Sequence, residues 1–281
     1  MESPLLRIEG ISYLDEDAIK AIHTLTGVDG EIARKVAEIA RYSDKFITGL
    51  RVSTRMDTPE QRQRILCFVL LLRLLELVEC ILVMASVGAR QEMKILLRVF
   101  LDAYFLLGNA CSDAAFVATY VRTDIRDQLK WLNVAARHEH EVFQPLRKFG
   151  TAEVRAKLAE RIEREQMPKL TAEQIAIKAG CGLIYDVLYR LTSSSVHTTP
   201  RCFLEYLRVD DNNNIVAVRR GGDGGDIDHS VFDPGYFLIK AMQETCKIFG
   251  QSDSELVRLA AELDVVGKKS APEALTILRS E

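Results

Sequence analysis

The sequence predicts an all-α protein, a multi-helix bundle carrying one small β-hairpin near residues 202–220. Three observations predict it. Apolar residues recur at helical spacing through nearly every stretch before Pro200. Helix-opening residues punctuate those stretches, as at Pro59-Glu60, Ser112-Asp113, Thr151 and Thr171. Only after Pro200 does the texture change, to CFLEYLRV, DDNNN and IVAVRRG, which reads as two short strands around a turn.

In chain order, residues 15–26 open with acids and stop at Gly27, and residues 29–54 put Ile32, Val36, Ile39, Ala40 and Phe46 on helical spacing. Pro59 and Glu60 then start a long apolar helix that breaks at Gly88, and ARQEMKILLRVFLDAYFLLGNA resumes to about Asn109. The next helix begins at Asp113 and is ended by Pro145. Residues 151–165 form a solvated helix, residues 171–180 a short one, and a further helix starts at Gly182 and carries YDVLYRLTSSSVH toward Pro200. GGDGGD, residues 221–226, is a flexible loop: it lacks both the strand-to-helix context and the lysine of a phosphate-cradling loop. Residues 233–249 return to helix, and 252–264 and 271–279 close the chain. The expected organisation is N-terminal helices over 1–58, a main helical domain over 59–250 that includes the hairpin, and short helices over 251–281, all in one globular unit.

Bulk properties narrow the function classes. Over 281 residues, 48% apolar and 27% charged side chains describe an ordinary globular protein and exclude disorder. With 37 basic and 40 acidic residues, the net charge of −3 excludes a chain-wide positive field, so any nucleic-acid binding must use a local patch. The six cysteines are scattered, without metal-knuckle or redox spacing, and MESPLLRIEG does not read as a secretory leader; the expectation is a reducing, cytoplasmic setting. Residues 65–88 are long enough to span a bilayer but carry Arg73, Glu76 and Glu79, each costing roughly 2.5–3.5 kcal/mol at its centre. These charges share one side of the helix, which predicts a soluble bundle's central helix and no integral membrane insertion.

Two polar constellations stand out. With Arg190 at zero on a helical wheel, His197 falls at about 340°, Asp186 at about 320° and Ser193 at about 300°, so the four share one arc beside an apolar face. The serines around Ser193 can bond back to preceding carbonyls and loosen that last turn. In LLRVFLDAYFLL, Arg98 and Asp102 lie four apart in strongly apolar surroundings, with Asn109 further along the same face. Buried charges are costly unless paired, so these two should meet each other or a group such as Arg190 or His197. Elsewhere, His138 and His140 diverge on a helix, and Arg122, Arg126 and Lys130 recur every four residues as a salt-laced surface or a phosphate-lined groove. Arg219 and Arg220 could extend such a basic rim.

LLRVFLDAYF, TYVRTDIRDQLKWL and YRLTSSSVH together resemble the bacterial family catalogued as domain of unknown function 5677, over roughly residues 60–250. The resemblance implies a common set at Arg98, Asp102, Tyr189, Ser193 and His197, with aspartate standing where that pattern has glutamate. Arg190, six residues and His197 are similar to the signature of the HEPN superfamily, all-helical proteins that include metal-independent ribonucleases of toxin and antiviral systems. This similarity implies a HEPN-like fold and RNA cleavage by 2′-hydroxyl attack, without metal or cofactor. The histidine would move protons and the arginine would grip the scissile phosphate. Seven residues of helix separate the two Cα atoms by about 10 Å, so this reading entails a homodimer, and a neutralising or activating protein partner fits the same class. The other reading is a non-catalytic helical module for a nucleotide, RNA or protein, in which Arg98, Asp102 and His197 only fix the fold.

Overall fold

The strong helical signals between residues 59 and 112 become the two central helices of the protein. The computed structural model describes residues 5–8, 12–197, 206–211, 214–218 and 228–269. Helix α3 (Pro59–Ser86) and helix α4 (Arg90–Ser112) form a hairpin whose turn is made by Gly88, at φ +68°. Thr58 accepts from the Gln61 backbone while the Gln61 side chain accepts from that of Thr58, so a capping box starts α3 at the proline the sequence marks.

Around this hairpin pack α1 (Glu16–Thr24), α2 (Gly27–Gly49) and α5 (Ala114–Arg137); α6 (Gln144–Phe149) and α7 (Ala152–Arg164) lie against α5, and α8 (Ala172–Lys178) against α4. A three-residue helical turn, α9 (Gly182–Ile184), runs through a π-helical turn (Tyr185–Tyr189) into α10 (Arg190–Val196). Strands β1 (Leu207–Val209) and β2 (Ile215–Val218) pair antiparallel, Leu207 opposite Val218. Helices α11 (Asp228–Phe249) and α12 (Ser254–Gly267) then return to the core, α11 lying against α2, α3 and α4. The all-α bundle with one hairpin is therefore observed.

Three boundaries differ from the sequence reading, each for a local reason. Helix α2 stops at Gly49 rather than near 54, where the chain turns extended and Leu6 donates to the Val52 carbonyl. Pro145 does not end a helix but sits in the first turn of α6, where its missing N–H would have no helical partner in any case. Pro234, expected at a helix start, lies inside α11, which begins five residues earlier than the pattern suggested. The expected helix over 271–279, the loop at 221–226, Arg219, Arg220 and Cys202 lie outside the described residues.

One continuous apolar cluster joins Leu14 of the N-terminal segment to Leu263 of α12, by way of the α3–α4 hairpin. The polar stripe of α3 divides in two. Arg73 and Glu76 pair at 3.3 Å near the surface, whereas Glu79 is buried and accepts from the Ser12 hydroxyl at 2.7 Å and the Tyr13 amide at 2.9 Å. A buried carboxylate held by two donors clamps the N-terminal segment onto α3. Helix α4 is long and apolar enough, by length and composition, to cross a membrane, and 44% of its most apolar window is buried.

Helices α2 and α11 approach closely at Gly235, where an added Cβ would lie 2.6 Å from a methyl of fully buried Val36. Gly235→Ala should destabilise the fold by about 1–2 kcal/mol in a urea melt, overpacking exceeding the gain in helix propensity. Adding Val36→Ala to that variant should recover part of the loss; a Gly235→Ala protein as stable as the wild type would contradict the contact.

Candidate functional site

Arg98 is the point where the polar residues of the two constellations meet. It projects from the middle of α4, between buried Leu97, Phe100 and Leu101, and keeps only 20% of its side chain exposed. A guanidinium in that position needs acceptors around its whole edge. NH1 donates to Asp102 Oδ2 one turn along, NH2 donates to the Tyr189 hydroxyl, and Nε donates to Ser193 Oγ at 3.2 Å. The circuit closes on itself. Tyr189 donates its hydroxyl hydrogen to Asp102 Oδ1 at 3.1 Å, and Ser193 donates to the Tyr189 carbonyl at 2.6 Å. The Arg98 carbon also lies 3.2 Å from the centroid of the Tyr189 ring, over its π face.

The π-helical turn places Tyr189 and Ser193 in this circuit. The Arg190 amide reaches back five residues to the Tyr185 carbonyl, so the turn holds one residue more than an α-helix would. Tyr189 is thereby buried, with its ring 4.6 Å from that of Tyr185 and 5.9 Å from Phe105 of α4. The hydroxyls of Thr192, Ser193 and Ser194 all bond back to preceding carbonyls, as their run suggests.

The arc read from the sequence is therefore divided. Ser193 turns inward to Arg98, while Arg190 stays on the surface, 59% exposed, with Nε 3.1 Å from Asp186 and NH2 3.7 Å from Glu173 of α8. His197 is exposed at the C-terminal cap of α10, and its amide still bonds to the Ser193 carbonyl at 3.4 Å. Among the described residues no hydrogen bond or ion pair joins its side chain to Arg98 or Asp102. So the structure brings Arg98, Asp102, Tyr189 and Ser193 together, and leaves Arg190 and His197 on the solvent side of the same helix. Asn109 is not part of the circuit: fully buried, it donates to the Phe105 carbonyl at 2.9 Å and to Ile175 of α8 at 2.7 Å.

Burial pushes the Asp102 carboxyl above the usual range, and the Arg98 guanidinium only partly offsets this. Tyr120 of α5 is also pushed up, by burial and then by the Asp102 charge. Among the other basic residues, Arg126 donates through Nε to the Met167 carbonyl at 3.0 Å, which makes it a structural tie rather than part of a phosphate groove. His140 caps a short turn by accepting from the Val142 amide, and the His138 ring stacks on Phe143. Among the described residues no group of three His, Cys, Asp or Glu side chains is placed to hold a metal ion. One contact had no signal in the sequence: Cys67 of α3 and Cys111 of α4 place their sulfurs 3.6 Å apart.

Arg98→Met should cost about 2 kcal/mol in a denaturant melt, because Asp102 and Tyr189 lose a charged donor together. Combined with Asp102→Asn the losses should fall short of additive by about 1 kcal/mol, the mark of groups sharing one circuit. A carboxyl whose folded-state value is raised adds stability that is whole below its unfolded value and is lost as pH rises through the folded one. Asp102→Asn should therefore cost more on the acidic side of the carboxylate range than at neutral pH; a cost that grows with pH would contradict the burial argument.

No curated protein and no solved structure matches the chain. The model of the "Family of unknown function (DUF5677)" matches residues 64–215, just over half of the chain, a span that includes α4, the whole Arg98 circuit, Arg190 and His197. The chain belongs to this family of unknown function, DUF5677.

Proposed function

We propose that the protein is a HEPN-like, metal-independent endoribonuclease acting as a homodimer, with Arg190 and His197 as its catalytic residues and the Arg98 circuit as the base that positions them. One observation carries the reading: Arg190 and His197 are both solvent-exposed, at the first residue and the C-cap of α10, the short helix that Ser193 anchors to Arg98. The ion-pair partners of Arg190 are two surface carboxylates, and its guanidinium also lies 5.4 Å from the centroid of the Tyr185 ring. Exposed ion pairs contribute roughly 0–1 kcal/mol, so a phosphate that offers bidentate contact displaces them at little cost.

In the reaction the ribose 2′-hydroxyl loses its proton to imidazole as its oxygen attacks the adjacent phosphorus. The bond from phosphorus to the 5′-oxygen breaks, that oxygen takes a proton from water as it leaves, and the imidazolium gives its proton to the hydroxide so formed. The products are a 2′,3′-cyclic phosphate and a 5′-hydroxyl. Arg190 holds the non-bridging oxygens, whose charge grows in the transition state. Helical side chains lean toward the N-terminus, so Arg190 points away from the His197 of its own chain. A two-fold pairing brings the two groups onto one phosphate, and exposed Leu191 and Val196 supply apolar surface beside them for that pairing. A toxin or defence effector, held in check or activated by a partner protein, is the setting this chemistry suits.

A second reading is favoured by the saturation of the Arg98 guanidinium, all three of whose nitrogens already have partners. On that reading the domain is a binding module for a nucleotide, RNA or protein, and it cuts nothing. An RNA-cleavage assay with chelator present separates the two. His197→Ala and Arg190→Ala should each lose at least about 100-fold in rate while melting as the wild type does, since both residues are at the surface. Folded variants that cleave normally, or wild-type activity abolished by chelator, would remove the enzyme reading.

A further inference from the structure

The turn that joins α8 to α9 borders a hollow whose lining shares no residue with the Arg98 circuit. A cavity of about 530 Å³ opens there between α4, the turn that joins α8 to α9, and α11. That volume suits a drug-sized molecule, and its walls mix apolar and aromatic side chains with charged and hydroxyl groups. Leu183 and Ile184 of α9 line it together with Phe237 of α11, and the Tyr104 ring of α4 lies 5.1 Å from that of Phe237. Gly108 keeps the slot open beside α8: a Cβ there would come within 3.3 Å of the Ala179 methyl.

The polar groups of the cavity are unevenly answered. Of its charged wall residues, Lys178 pairs with Asp113 at 3.0 Å and Glu244 with Lys247 at 2.7 Å. Lys240 lies 5.4 Å from the Tyr236 ring centroid, and among the described residues no carboxylate is within ion-pair distance of it. The rim thus presents an exposed ammonium that has no ion-pair partner among the described residues. Deeper in, the Tyr104 hydroxyl has no hydrogen-bond partner among the described residues. Burial holds this phenol well above its usual range, so it remains a neutral donor. Its hydroxyl opens onto the cavity and is free to donate to an acceptor that enters.

We infer that this cavity binds a small organic anion with a flat apolar body, which lies between Leu183 and Phe237, sets its carboxylate or phosphate against Lys240, and accepts a hydrogen bond from Tyr104. The inference is independent of the cleavage chemistry and requires only a folded chain. Its walls include α9, the segment immediately before the π-helical turn, so an occupant would press on the element that carries Tyr189.

Calorimetric titration of the full chain tests it with two matched pairs of probes: indole-3-acetate against indole-3-acetamide, and adenosine monophosphate against adenosine. At least one anion should bind about tenfold more tightly than its neutral partner, and which one does so assigns the head group. Lys240→Met should remove that preference and leave the neutral probe unchanged. Leu183→Trp should fill the slot and abolish binding without moving the melting temperature. Tyr104→Phe, which preserves packing, should weaken the anion several-fold and keeps the test decisive if the tryptophan variant does not fold. Failure of both anions to bind at millimolar concentration, equal binding of anion and neutral probe, or undiminished binding in folded Leu183→Trp or in Tyr104→Phe would overturn the assignment.

Discussion

A guanidinium cannot be left unanswered in the middle of an apolar helix, and much of the architecture around α10 follows from that. Arg98 sits where α4 is otherwise built of Leu97, Phe100 and Leu101. Desolvating a charge there costs several kcal/mol unless hydrogen bonds replace water along the whole edge of the group. Its own helix supplies one acceptor, Asp102, by the i,i+4 spacing. The others come from a segment about 90 residues further on, Tyr189 and Ser193, which ties the late helix to the central hairpin by charge-assisted bonds.

The π-helical turn is the local consequence. A regular helix through Tyr185–Tyr189 would not carry the extra residue that this turn inserts, and the inserted residue shifts the phase of all that follows. Tyr189 goes down onto Arg98 and Phe105, and Ser193, one turn on, follows it. Arg190 and His197, further round the same helix, are left on the outside. The inner circuit and the outer pair are thus two faces of one short helix, and the inner one fixes where the outer one stands.

Most of the bundle was legible in the sequence because its signals are local. Proline and threonine at helix starts, glycine at the α3–α4 turn and apolar spacing each act within a few residues. The pairing of Arg98 with Asp102 was legible too, since burial and a four-residue step leave few alternatives. The inward turn of Ser193 was not, because the roughly 60° between it and Arg190 on the wheel does not say which edge of the arc meets the core; Arg98, on another helix, decides that. Nor was the fate of Glu79: its donors, Ser12 and Tyr13, lie more than 60 residues away, and no periodicity on α3 separates it from surface Glu76. Cys67 with Cys111, and Tyr104 with Phe237, meet through packing between helices, where sequence spacing carries no information.

The central claim is that Arg98 holds α10 in place, and through it Arg190 and His197. Amide hydrogen exchange on Arg98→Met tests this most directly, read segment by segment against the wild type. The account predicts that protection falls through Tyr189–His197 while the α3–α4 hairpin exchanges as before. Unchanged protection in that segment would show that the helix stands without the guanidinium, and the account would be wrong.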